Sequence, residues 1–125
     1  MNEHSYIRAV HRQLPDAIHV WKINVRFRNG VPDCWYSGGG ADLWVEYKWL
    51  ATVPKKVFKP TLSELQKKWL RDRYAEGRRV AVIVGSPQGG VILAAPLEWE
   101  NQVGVTTWMK HADVADWIKH LVSST

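Results

Sequence analysis

A chain of 125 residues, 46% apolar and 23% charged, suits one globular domain with a real core. Its 17 Lys and Arg against 12 Asp and Glu leave a net charge of +5, which favours a polyanionic partner, although such an excess also serves simple solubility. No apolar run approaches the ~18–20 residues of a membrane span, and no signal-peptide pattern follows Met1. The single cysteine, Cys34, excludes an internal disulfide framework and fits a reducing cytosol, and the five histidines lack zinc-ligand spacing.

Residues 2–14 read as a helix, with Asn2 as N-cap, Pro15 beyond the end, and Ile7, Val10 and Leu14 on one stripe. Glu3, one turn before Ile7, falls on that stripe. It is either a first-turn carboxylate favoured by the helix dipole or an acid turned inward to a site. Residues 17–27 alternate Trp21, Ile23, Val25 and Phe27 with Lys22, Asn24 and Arg26, the pattern of a strand with one apolar and one polar face. The polar face is either solvated or sets Lys22 or Arg26 near a phosphate. Asn29-Gly30 then turns the chain back.

Two further strands, about 31–37 and 42–50, are joined by Ser37-Gly-Gly-Gly-Ala-Asp42. With the turn centred on Gly39-Gly40, Asp33 falls directly opposite Glu46, which places their Cβ atoms roughly 4.5–5.5 Å apart. Alternation puts Lys48 on the face of Glu46, with Trp44; Leu43, Val45, Tyr47 and Trp49 take the other face. Bulk on both faces marks a central strand, where charged groups are costly unless paired or bound to a metal. Two acids and a lysine on one face make a site for a hard divalent cation, with a plain Glu46–Lys48 ion pair as the simpler alternative.

Residues 51–60 form a loop carrying Lys55, Lys56 and Lys59, either solvated or able to grip a nucleic-acid backbone. Thr61 to about Glu76 reads as a helix closed by Gly77, with Leu62, Leu65, Trp69, Leu70 and Tyr74 as its buried stripe. Gln66 lies within the stripe. Two capping boxes are available, Thr61-x-x-Glu64 and Ser63-x-x-Gln66. If the second is used Gln66 only caps; if the first, it is free to reach a ligand. A short apolar strand (79–85), a turn at Ser86–Gly90 and a strand at Val91–Ala95 follow. Residues 96–111 look irregular, anchored by Trp99 and Trp108, and a last helix spans about 113–122. Most of the eight tryptophans are expected in the core, leaving one or two to stack on bases. The order α-β-β-β-α-β-β-α predicts an α/β fold class, an α+β mixed sheet flanked by helices.

Gly30-Val-Pro-Asp33, then Glu46-Tyr-Lys48, then a helix bearing Gln66 and Gly77 before an apolar strand, together with the helix of Glu3, resemble the PD-(D/E)xK nuclease superfamily. Within it the chain looks most like the VRR-NUC (virus-type replication-repair nuclease) branch. The resemblance covers residues 3–84, and Tyr47 departs from it, being bulkier than the small apolar residue often found there. It implies a single nuclease domain over 1–125, with a restriction-endonuclease-like core at 3–95. It further implies Mg²⁺-dependent hydrolysis of DNA phosphodiesters, with Mn²⁺ able to substitute, selective for junction, flap or branched DNA in replication, recombination or repair. Asp33, Glu46 and the backbone carbonyl of Tyr47 would be the metal ligands, with Glu3 completing the shell directly or through water. Lys48 would orient the attacking water and stabilise charge on the phosphorane-like transition state, and Gln66 would position Lys48 or the water. Lys22, Arg26, Lys55, Lys56 and Lys59 would hold DNA phosphates. A homodimer, a cytoplasmic setting in a bacterial or phage-infected cell, no membrane and no organic cofactor complete the expectation. The competing readings are a catalytically silent nucleic-acid-binding module on the same fold and a protein-interaction subunit. Residues 96–125 have no expected role beyond packing.

Overall fold

The computed structural model describes residues 1–23, 30–104 and 107–123. In chain order the elements are α1 (Glu3–Arg12), β1 (His19–Lys22), β2 (Cys34–Ser37), β3 (Asp42–Trp49), β4 (Val57–Phe58), α2 (Glu64–Ala75), β5 (Val80–Ser86), β6 (Gly89–Leu93), α3 (Pro96–Trp99), β7 (Val103–Gly104) and α4 (His111–Ser123). Three short elements, β4, α3 and β7, are additions to the expected order. Five strands form one sheet in the order β1-β2-β3-β5-β6, and β4 pairs with β7 in a two-stranded ribbon. Neighbours are antiparallel except β3 and β5, which run parallel because α2 carries the chain from one to the other.

Side-chain alternation along β3 divides the core into two layers. Leu43, Val45 and Tyr47 join Tyr6, Ile7 and Val10 of α1 and Val114, Ile118 and Val122 of α4 on one face. Trp44 packs on the other with Leu70 of α2, Trp99 of α3 and Val80, Val82 and Val84 of β5. Strand β5 is buried along its whole length, as a central strand covered on both faces must be. Gly85 and Gly90 are register partners, and their missing side chains make the hollow that the Tyr6 ring fills.

Several local expectations change. The helix of Gln66 starts at Glu64 with Ser63 as its N-cap, so the Ser63/Gln66 capping box is the one used. Leu65 and Tyr74 are exposed rather than buried, because the second layer closes around Leu70 and, in part, Trp69. Strand β1 is described over His19–Lys22, with Trp21 half exposed on this edge strand, while Val20 packs toward the α1 layer. Arg26, Val25 and Phe27 lie outside the described residues. Among the described residues no helix is long and apolar enough to cross a membrane.

Candidate metal and nucleic-acid site

The register of β2 on β3 pairs Cys34 with Val45 and Trp35 with Trp44, so its continuation sets Asp33 against Glu46. Asp33 ends the approach to β2: its carbonyl accepts from the Ile23 N–H at 2.7 Å and its carboxylate accepts from the Tyr47 N–H at 2.8 Å. The second bond crosses to the strand of Glu46 and fixes the aspartate beside it. Glu46 lies opposite Val82 of β5 and is only 2% exposed, an unusual position for an acid. Lys48 reaches it at 3.5 Å, and the Gln66 Nε2 donates to it at 2.8 Å. Lys48 also donates to Gln66 Oε1 at 3.3 Å, so the three side chains form a closed triangle.

Gln66 therefore does two things that the sequence presents as alternatives. Its Oε1 accepts from the Ser63 N–H at 3.0 Å, completing the cap, while its amide nitrogen holds Glu46. The first turn of α2 is in turn held from the other side by Gly30. There φ is +82°, and a Cβ would collide with the Leu65 carbonyl oxygen. Only glycine allows both the left-handed backbone and this approach. The Gly-Val-Pro-Asp segment is thus the wedge that sets Asp33 and Gln66 around Glu46.

Tyr47 sends its side chain to the opposite layer. Its hydroxyl meets the Tyr36 hydroxyl at 2.6 Å, which meets His11 Nε2 at 2.7 Å. Burial raises both phenols well above their ordinary range. Burial, assisted by the positive charge of Lys22, lowers His11 to about 4. A buried chain of three polar groups thus anchors α1 and β2 to the strand carrying Glu46 and Lys48, a use of the large side chain that the sequence pattern did not disclose. Cys34 is buried beside Tyr36, and burial pushes its thiol up to about 12, so it is a packing residue.

The remaining candidates are distributed differently. Glu3 opens α1, whose buried residues face the first layer. Among the described residues no set of three or more His, Cys, Asp or Glu side chains converges to hold an ion, so Glu3 is not brought into one ligand group with Asp33 and Glu46. Lys22 is the register partner of Cys34 and so points to the α1 face, 3.4 Å from His4 Nδ1, whereas Glu46 and Lys48 face α2. Lys55, Lys56 and Lys59 are all exposed on the segment that flanks β4. That segment is fixed from the C-terminal part of the chain: Val57 and Phe58 pair with Gly104 and Val103, and Phe58 stacks on Trp108 with ring centroids 6.3 Å apart. Residues beyond the expected core thus order the basic segment, a role that sequence reading missed because β4 and β7 are each two residues long.

The donor set suits a hard cation. Two carboxylates and no thiolate or imidazole match the way Mg²⁺ is held, by one or two acids with water and substrate phosphate supplying the rest. The residues present fit such an ion without a third side-chain ligand.

No family model matches the chain, and no curated protein matches it. Among solved structures it is similar to Hjc of Archaeoglobus fulgidus, a Holliday junction resolvase from an archaeal hyperthermophile. The TM-score is 0.58 at 14% sequence identity, over 93% of this chain and 97% of that one. The chain has the restriction-endonuclease-like fold of that resolvase, a mixed sheet flanked by helices.

Proposed function

We propose that the chain is a divalent-metal-dependent endonuclease that hydrolyses DNA phosphodiester bonds, selective for junction, flap or otherwise branched DNA. The observation that carries this reading is the triangle of Glu46, Lys48 and Gln66, with Asp33 clamped beside it by the Tyr47 N–H. The fold likeness to a junction resolvase supports both the reaction and the class of substrate. A buried carboxylate serving only as one arm of an ion pair gains little, since desolvation offsets much of the attraction.

Asp33 and Glu46 would hold Mg²⁺, or Mn²⁺ in its place, together with the Tyr47 carbonyl. When bound, such an ion supplies Lewis-acid polarisation of the phosphate and lowers the pKa of water. Lys48 contributes a fixed positive charge where negative charge develops on the phosphorus oxygens, and a donor to orient the attacking water. Gln66 keeps Lys48 and Glu46 in register, so that neither spends reaction time finding its geometry. Glu3 acts, on this reading, through water rather than as a direct ligand. Lys55, Lys56 and Lys59 grip phosphates on one side of the cut. A homodimer would place two such centres on the paired strands of a junction.

The test is a gel assay with four-way-junction, flapped, linear duplex and plasmid DNA in Mg²⁺, Mn²⁺, Ca²⁺ or EDTA. Cutting in Mg²⁺ and Mn²⁺, lost in EDTA and strongest on branched DNA, is expected. Binding without cutting in any metal would leave the silent nucleic-acid-binding module. Absence of both binding and cutting would overturn the reading.

A further inference from the structure

Outside the triangle, the α2 face of the sheet carries a row of tryptophans. Trp21 pairs in register with Trp35, and Trp35 with Trp44, so the three stand at one level across β1, β2 and β3. This level is two residues along each strand from that of Asp33 and Glu46, a displacement of about 6.6 Å. Trp35 and Trp44 have ring centroids 6.2 Å apart, and Trp44 meets Trp69 of α2 edge-on at 5.3 Å. Trp69 lies one helical turn beyond Gln66, so the row ends beside the triangle. The Trp35 indole is fixed by donating to Asp42 at 2.9 Å.

Where the row meets α2 the surface is hollow. A cavity of about 260 Å³ is lined by Trp44, Trp69, Arg73, Glu76 and Arg78. Arg73 lies over the Trp69 ring at 5.6 Å, and its buried Nε has no acceptor among the described residues. Glu76 accepts from both Arg73 and Arg78, at 2.8 and 3.1 Å, which leaves the hollow with one net positive charge. Full burial would be the ordinary use of so many indoles. Here Trp44 and Trp69 are only partly buried, and Trp21 is half exposed. Partly exposed indoles with a guanidinium over one of them are the components of a stacking site for a single base. At this volume, below the ~300–1,000 Å³ of sites for drug-sized ligands, the hollow suits one ring system.

We propose that Trp44, Trp69 and Arg73 form a pocket for one unpaired nucleobase, on the same face of the sheet as the triangle and one to two turns along α2 from Gln66. The pocket rests on the nucleic-acid reading of the neighbouring site and refines it. It supplies a physical basis for preferring DNA with flaps or single-stranded arms, because a base without a pairing partner is cheap to unstack and a paired base must first be extruded.

The probe is a DNA duplex carrying a single unpaired 2-aminopurine, compared with the same duplex fully paired, bound in EDTA at low ionic strength so that no cutting occurs. The wild-type protein is expected to bind the bulged duplex about tenfold more tightly and to quench the 2-aminopurine, as one base–aromatic stack would give. Trp69→Leu should remove both effects and leave affinity for the paired duplex unchanged. Arg73→Gln, which keeps every tryptophan of the row, should reduce the preference in the same direction. Equal affinity for the two duplexes, or a preference kept in both variants, would overturn the proposal. The measurement is independent of cleavage, so a protein that cuts in Mg²⁺ without the preference sinks this pocket alone. A protein that shows the preference and never cuts keeps the pocket and sinks the nuclease.

Discussion

Gln66 carries more of the site than any other single residue, because one amide completes a helix cap and holds two charged groups. Gln66→Ala is expected to slow cleavage by at least tenfold while costing about 1 kcal/mol in stability, the scale of a missing cap. Ser63→Ala should cost about the same in stability but lose far less activity, since the Gln66 contacts to Glu46 and Lys48 do not pass through it. Parallel denaturant melts and single-turnover cleavage separate the two. Equal loss of activity in both would mean that the capping geometry alone matters. A second residue, His11, gives a pH signature. It sits at about 4 in the fold, below its ordinary 6.5, through burial and then Lys22. The unfolded chain therefore takes up that proton first, and the stability held at neutral pH declines as pH falls from about 6.5 toward 4. His11→Gln should show a smaller drop in stability between pH 7 and pH 5 than the wild type, read as the difference between two pairs of melts.

At the scale of elements, the expected hairpin register survives because period-two alternation and a central glycine turn leave few alternatives. Asp33 against Glu46, and the two faces of β3, were legible for that reason. What the strand pattern could not disclose is contact with distant chain. The closeness of Gly30 to the Leu65 carbonyl is one case, and the docking of β7 and Trp108 on β4 is another. Gly30→Ala must relieve both a collision with that carbonyl and a positive φ, so a loss of roughly 2–4 kcal/mol is expected from strain and overpacking. Its cleavage should fall with it, because α2 carries Gln66; a stable, fully active Gly30→Ala protein would remove the wedge from the account. Trp108→Ala takes away the stack on Phe58, worth about 0.5–1.5 kcal/mol beyond its buried area. It is expected to weaken DNA binding by loosening the segment of Lys55, Lys56 and Lys59. Unchanged affinity would show that those lysines need no such support.

For the whole molecule, the α/β architecture followed from helix and strand periods, but the distribution of charge did not. Period two sorted Lys22 onto a polar face, and the structure turns that face toward α1, away from Glu46. A helix pattern likewise placed Glu3 on an inward stripe without saying which side of the sheet that stripe would meet. On the proposed reading, the electrostatic contribution to DNA binding falls to Lys55, Lys56 and Lys59 of the segment around β4. Replacing Lys55, Lys56 and Lys59 together by Ala should lower the slope of log affinity against log salt by about 3, near 0.9 for each phosphate no longer neutralised. Replacing Lys22 should change it little, and the reverse ranking would move the DNA path to the α1 side. Ion binding should also stabilise the fold as a whole: Mn²⁺ at a hundred times its dissociation constant adds about 2.7 kcal/mol if only the folded chain binds it.

The most direct test is Mg²⁺-dependent cleavage of four-way-junction DNA by the wild-type protein and by Asp33→Ala, run side by side at equal concentration with both proteins confirmed folded. Asp33 is a half-buried acid whose carboxylate accepts from a backbone N–H at the edge of the core, so its removal should spare the fold. Cutting by the wild type and none by the variant is the expected result. Cutting by Asp33→Ala at the wild-type rate would contradict it.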